Sequence, residues 1–253
     1  AVLAMKGMAA KEELAECANA IKKLGLKLEK VYKTLGHRPI LRGLDLEVKR
    51  GETLIIIGPS GTGKSVTLSH IIGLMRPDEG RVLVDGIDVG AQDKKGLELL
   101  RTKIGMLFQG GALLNWMDIY DNVALPLREK TTLSEIEIRE RVMNILEFLE
   151  LKGAIHKMPS EISGGMVKRA GLARAVVCEP KIMLYDEPTS GLDPVMSRKI
   201  DSLVELLKQR YGMTSVMVTH DLTIAARADR VFKMEAGRLR AWSNTRDGIL
   251  AGY

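Results

Sequence analysis

Eight consecutive residues, Gly58-Pro59-Ser60-Gly61-Thr62-Gly63-Lys64-Ser65, fit the pattern G-x-x-x-x-G-K-[ST]. The glycines allow successive backbone N–H groups to converge on one small anion. Lys64 adds a cation long enough to reach the outer phosphates of a nucleotide, and Ser65 adds a hard hydroxyl oxygen suited to Mg2+. Such a loop cradles phosphate when a strand delivers it and a helix leaves it, because the helix N-terminus supplies partial positive charge. Both are expected here. Thr53 to Ile57 is a short run of strand formers, and Val66, Leu68, Ile71 and Ile72 fall at helical spacing just after the loop.

A second group lies well downstream. Ile182-Met183-Leu184-Tyr185-Asp186-Glu187 is an apolar strand ending in two carboxylates and followed by Pro188. Asp186, at the end of a strand beside the cradle, is placed to hold the metal through its water shell. Glu187, one residue on, faces the γ-phosphate side and is placed to polarise an attacking water.

These residues need a scaffold. Thr53–Ile57, Ile182–Tyr185 and Ser215–Val218 read as buried parallel strands with helical segments between them, which predicts a parallel sheet covered on both faces. Leu26–Tyr32 and Leu44–Val48 alternate as half-exposed antiparallel strands joined by a turn near Gly36. From about Gln109 to Val177 the chain is mainly helical, with Ile138, Val142, Ile145, Leu146 and Leu149 spaced for one face, so a helical block is expected between sheet strands. Residues 8–24 are predicted as an amphipathic helix with Leu14, Ala18, Ile21 and Leu24 on one stripe. The division is a helical extension over 1–25 and one domain over 26–253, with its helical subdomain at about 110–178.

Composition narrows the class. The 253 residues are 45% hydrophobic and 28% charged, an ordinary globular balance with ample core. The net charge of +6 permits an anionic partner, whether nucleotide, nucleic acid or membrane headgroup, but acidic and basic residues interleave as on a solvated surface. Cys17 and Cys178 stand far apart and make no disulfide framework, as expected of a reducing compartment. Apolar runs such as Leu54 to Ile57 are far too short to span a bilayer, and the N-terminus, with Glu12, Glu13 and Glu16, lacks a signal-peptide core. The expectation is a soluble protein, or one held at a membrane by a partner.

With the cradle and the carboxylate pair in place, the chain resembles the ATP-binding-cassette family over nearly its whole length. Gln109 in F-Q-G-G is similar to the Q-loop glutamine, which touches the metal and couples to a membrane partner. Ser163-Gly164-Gly165 resembles the signature motif, Ser190 to Asp193 the D-loop, and His220 in V-T-H-D the switch histidine. Tyr32 lies where the family stacks an aromatic ring on adenine. The resemblance implies an α/β P-loop NTPase with a parallel sheet core, an antiparallel β subdomain and an inserted helical subdomain. It also implies an ATPase using ATP and Mg2+. Glu187, His220 and Gln109 are then catalytic. Gly58 to Val66, Tyr32, Ser163 to Gly165 and Asp193 bind nucleotide, and Ser65, Gln109 and Asp186 serve the metal. Each site is completed by the Ser163 to Gly165 stretch of a second copy, so a homodimer is implied.

Finer resemblance points to a sub-family. G-P-S-G-T-G-K-S-V, F-Q-G-G-A-L, D-N-V-A-L-P-L-R-E, I-S-G-G-M-V-K-R and Y-D-E-P-T-S-G-L-D-P are together similar to the Mla/Mce-associated ATPases. Those move phospholipids or other lipids between membranes with a permease pair and a periplasmic MCE-domain protein. The implied place is the cytoplasmic face of the inner membrane, with no nucleic-acid partner. Alternatives are an ATPase for amino-acid import or lipoprotein release, or a non-transport cassette. Against the last, the chain has one copy of the motif set and no heptad repeats. The segment from Gln109 through Trp116 and Tyr120 to Leu127 is the expected docking face. One position and one short segment depart from the pattern. Val66 stands where many cassettes have threonine, leaving only its backbone N–H for the α-phosphate, and Asn115-Trp116-Met117-Asp118 differs from the usual F-D-S-M.

Overall fold

The computed structural model describes residues 24–242. The expected helix over 8–24 lies outside them except for Leu24, which opens the first strand, and the tail beyond Trp242 lies outside as well.

The run Thr53–Ile57 forms β3, and every one of its residues is buried. Its side chains alternate between two cores: Leu54 and Ile56 face one, Ile55 and Ile57 the other. Strand β7 (Ile182–Asp186) does the same, with Ile182 and Leu184 opposed to Met183 and Tyr185. A continuous apolar strand is the sequence form of a sheet wet on neither face. With β6 (Ile104–Leu107), β8 (Thr214–Thr219), β9 (Arg230–Glu235) and β10 (Arg238–Trp242), these strands make a six-stranded sheet in the order β10-β9-β3-β8-β7-β6. All its pairings are parallel except β10 on β9.

One core joins this sheet to α1 (Lys64–Ile71), α2 (Lys94–Thr102) and a four-stranded antiparallel sheet ordered β2-β1-β4-β5. The antiparallel strands are β1 (Leu24–Leu35), β2 (Arg38–Lys49), β4 (Glu79–Val84) and β5 (Ile87–Asp88). The simple alternation expected over Leu26–Tyr32 is interrupted. Leu26 and Leu28 are buried, but the next buried residue is Val31. Lys30 takes a left-handed φ of 46°, and the register shifts between Leu28 and Val31. This bulge reverses the facing of the strand beyond it and turns Tyr32 outward. Gly80 permits the bulge, since a Cβ there would lie 2.2 Å from the Lys30 carbonyl oxygen.

The second core joins the opposite face of the parallel sheet to α3 (Ile119–Lys130), α4 (Glu135–Phe148), α5 (Gly164–Val176) and α6 (Pro194–Tyr211). The predicted stripe of α4, Ile138, Val142, Ile145 and Leu146, together with Leu149 just beyond the helix, is buried in this core. Ser134 and Glu137 close a capping box at the start of α4. Asn122 of α3 is fully buried. Its amide donates to the carbonyls of Leu114, Met117 and Asp118 and accepts from Leu114 N–H, so it fixes the segment leading into α3. Trp116, within that segment, is 73% exposed.

Candidate functional site

The cradle sits where β3 ends and α1 begins. Gly61 and Gly63 take φ of 77° and 109°, in the left-handed region that side chains disfavour. Gly58 has a different reason to be glycine, because a Cβ there would lie 2.7 Å from the carbonyl oxygen of Met234. Gly63 packs on β2, where a Cβ would meet Leu41 at 2.9 Å and Ile40 at 3.2 Å. Thr62 Oγ1 donates to the Pro59 carbonyl at 2.9 Å and stiffens the loop.

Lys64 is buried and curls back over the loop. Its Nζ donates to the carbonyls of Gly58 (2.6 Å) and Pro59 (3.1 Å) and lies 3.4 Å from Glu187 Oε1. Ser65 Oγ donates to Asp186 Oδ1 at 2.8 Å, which joins the end of β7 to the start of α1. Burial raises the pKa of the Asp186 carboxyl, against the pull of its bond from Ser65. Glu187 follows with a left-handed φ of 48°. Its Oε2 accepts from His220 Nδ1 at 2.8 Å and from the His220 backbone N–H at 3.3 Å. With an ionised carboxylate as acceptor, the proton of this exposed ring sits on Nδ1.

A cavity of about 370 Å³ lies over these groups. Ser60, Gly61, Gly63, Lys64, Ser65, Val66, Gln109, Glu187 and His220 line it, together with Arg38 and Ile40. Gly58, Pro59 and Thr62 shape the loop from behind, and Asp186 reaches the cavity through Ser65. The Gln109 amide donates to Ser190 Oγ at 3.3 Å, bridging to the loop after β7.

The remaining expected residues lie elsewhere. Tyr32 does not line the cavity, and its ring caps Gly43, where a Cβ would lie 2.7 Å from the phenol oxygen. Arg38 and Ile40 at the start of β2 form the wall instead. Asp193 is the N-cap of α6, accepting from Val195 and Met196 N–H at 2.9 and 3.0 Å, and these bonds hold its carboxyl below the usual range. Ser163 caps α5 in the same way. Ser163 and Gly164 are exposed and outside the cavity, while Gly165 packs so closely on α6 that a Cβ would lie 2.7 Å from Met196.

One buried charge was not expected. Lys168 of α5 lies beneath the cavity with its Nζ donating to the carbonyl oxygens of Gln109 and Glu187. With Lys64, Asp186 and Glu187 it makes a buried group of two cations and two anions. Local sequence carries no sign of this, because Lys168 reads as an ordinary helix lysine until the loops of two other elements fold over it.

The geometry suits a polyphosphate: backbone N–H groups, one lysine, and a serine–aspartate pair of hard oxygens at a helix N-terminus. Among the described residues no cluster of three or more His, Cys, Asp or Glu side chains is able to hold a metal. The oxygen donors Ser65, Gln109 and Asp186 fit Mg2+ arriving with phosphates that fill the rest of its shell. Among the described helices, none is long and apolar enough to cross a membrane.

Comparison with known proteins agrees with this chemistry. The family model described as ABC transporter matches residues 41–190. The chain is 46% identical over 202 residues to a probable ribonucleotide transport ATP-binding protein, mkl, of Mycobacterium leprae, covering 80% of this chain and 58% of that one. It is 43% identical over 189 residues to the intermembrane phospholipid transport system ATP-binding protein MlaF of Escherichia coli K12, covering 75% and 70%. It thus spans little more than half the length of the mycobacterial relative. Among solved structures, a dimeric post-hydrolysis ATP-binding cassette bound to ADP and Pi superposes with a TM-score of 0.80 at 35% identity, over 86% of this chain and 97% of that one. The cradle, the carboxylate pair, the fold and these matches agree: the chain belongs to the ABC transporter ATP-binding-cassette family.

Proposed function

We propose that this chain binds and hydrolyses ATP as the energising subunit of a membrane transporter. The observation that carries the reading is the convergence of Lys64, Ser65, Gln109, Glu187 and His220 on one cavity, with Asp186 behind Ser65. Lys64 leaves its loop carbonyls for the phosphates. Glu187, held by His220, accepts a proton from the attacking water, and Gln109 orients the outer phosphate region. Mg2+, held by Ser65, Gln109 and Asp186, would neutralise charge on the phosphates when bound. The base rests against Ile40 and Arg38, with Tyr32 outside the cavity. Residues 26–253 are one cassette domain, with the helical insert at about 110–178.

Ser163 to Gly165 stand outside their own chain's cavity and begin a helix. This supports a pair of copies in which the α5 N-terminus of one meets the γ-phosphate held by the other. The chain works at the cytoplasmic face of the inner membrane beneath a permease dimer, with the exposed Trp116 segment as the docking face. The cargo is a phospholipid or related lipid, delivered with a periplasmic MCE-domain protein. The named MlaF relatives support lipid, and the mkl relatives support ribonucleotide as the second reading. Purification from membranes in detergent, with identification of co-purifying chains and lipids, is the test. Recovery of a multi-span permease, an MCE-domain protein and phospholipid is expected. ATPase activity of that complex stimulated by ribonucleotide and indifferent to lipid would overturn the cargo assignment.

A further inference from the structure

The helix that begins with the Ser163-Gly164-Gly165 stretch also carries the loop of Gln109. Gly111 lies flat against it, since a Cβ at Gly111 would come 3.0 Å from the Val167 side chain. A Cβ at Gly171 would in turn lie 2.8 Å from the Gly111 carbonyl oxygen. Arg174 donates to that same oxygen at 3.3 Å. Lys168 adds the deepest tie, from its Nζ to the Gln109 carbonyl. The same Nζ donates at 3.2 Å to the carbonyl of Glu187, on the far side of the cavity floor.

Glu187 needs such a tie. Its φ of 48° is a conformation that a glutamate leaves unless its surroundings over-determine it. Its backbone N–H is held by Val218 O at 2.9 Å, and its carboxylate by Lys64 and His220. The Lys168 ammonium adds a bond to its carbonyl. Lys168 is 5% exposed, and burial lowers its pKa, so its place is maintained against a desolvation cost by these contacts.

We propose that Lys168 is a positioning residue for hydrolysis. It holds Glu187 in its left-handed backbone and ties the Gln109 loop to α5, so that a displacement of that helix moves the water-polarising group and the metal-facing amide together. This rests on the roles proposed above for Glu187 and Gln109. Lys168 touches no substrate, because it lies under the loops and outside the cavity lining.

The test uses the full chain in four forms: parent, Lys168→Met, Glu187→Gln and the double variant, with turnover normalised to subunits that bind a fluorescent ATP analogue. Lys168→Met is expected to lower kcat about 100-fold, the scale of a small misplacement of a reacting group, while the analogue's Kd stays within about threefold of the parent. Single-turnover assays with labelled ATP are expected to show the double variant losing much less than the two single losses combined, since part of the Lys168 effect passes through Glu187 and only the part that passes through the Gln109 loop remains to be lost. Lys168→Gln, which keeps an N–H donor without the charge, is expected to lie between parent and Lys168→Met, and stands in if the methionine variant does not fold. Turnover per binding-competent subunit unchanged in Lys168→Met, or in Lys168→Gln where that variant stands in, would overturn the proposal. So would losses that add in the double variant. Parental turnover by Glu187→Gln would instead sink the role of Glu187, and so separates the two failures.

Discussion

Replacing Glu187 by glutamine keeps the side chain's shape and removes one charge from the buried group of four. The charge removed is the one nearest Lys64, whose Nζ is 3.4 Å from Glu187 Oε1 with both side chains under a tenth exposed. At an effective dielectric near 20, two unit charges at that distance attract by about 5 kcal/mol before desolvation is counted. Desolvation offsets most of that in a buried pair. If about 1 kcal/mol survives, freeing Lys64 for the phosphates tightens ATP binding about fivefold. Hydrolysis should move the other way, because loss of a positioned general base, the role proposed for Glu187, costs about 100- to 10,000-fold. The variant should therefore bind ATP more tightly, turn over far more slowly and accumulate as an ATP-bound pair. Titration with a fluorescent ATP analogue, phosphate release and light scattering read the three quantities on one preparation. Parental turnover, or ATP binding weakened severalfold in a folded variant, would refute the reasoning that couples Lys64 to Glu187.

Gly58→Ala places a Cβ 2.7 Å from the Met234 carbonyl oxygen, so the melt should show a loss of about 1 to 3 kcal/mol, and an unchanged Tm would contradict the close approach. Ser65→Ala removes the donor to Asp186 and the hydroxyl oxygen proposed for the metal; ATP affinity should fall about tenfold in Mg2+ and hold steady in EDTA, as nucleotide titrations in the two buffers would show. Burial lifts the Asp201 carboxyl to about 6, above its ordinary 3.8, so the folded chain holds this proton more tightly than the unfolded one. Its cost to stability is absent below the unfolded pKa, grows as pH rises toward 6 and is constant above it. Asp201→Asn should accordingly stabilise by about 1 kcal/mol at pH 7, after discounting for partial solvent access, and by little at pH 4, read as paired thermal melts. Met166→Gln should leave ATPase activity measurable, since the side chain only packs against the edge of a core; complete loss of phosphate release would show otherwise.

What the sequence revealed and what it hid divide along one physical line. The cradle is a local object: strand, loop and helix are consecutive, so its glycine pattern and Lys64 read directly. The parallel strands were legible because two-sided burial leaves no polar alternation to disguise them. Tyr32 was placed by resemblance, and its facing depends on the bulge at Lys30, which is accommodated by Gly80 of another strand. Arg38 and Ile40 enter the cavity wall only because β2 packs on Gly63. Lys168 acquires its surroundings from two loops at distant positions in the chain. None of these long-range placements leaves a pattern within a window of a few residues.

The S-G-G-M stretch shows how the same residues serve packing and function. Ser163 and Gly164 stand exposed at the start of α5, whose first N–H groups carry the helix's partial positive charge. Gly165 faces inward, and Met196 of α6 fills the space a side chain would take. Met166 is partly buried at the edge of the helical core, where a flexible thioether fits an irregular gap. One turn of helix is thereby fixed on its inner side by α6 and left bare on its outer side. Lys168, just beyond, couples that turn to Gln109 and Glu187 of its own chain. If the bare end meets a phosphate held by a second copy, one rigid helix carries the contact from the neighbour's nucleotide to the hydrolytic groups of its own site. The two sites of a pair are then coupled through α5, and loss of the γ-phosphate in one is felt by the Glu187 of the other.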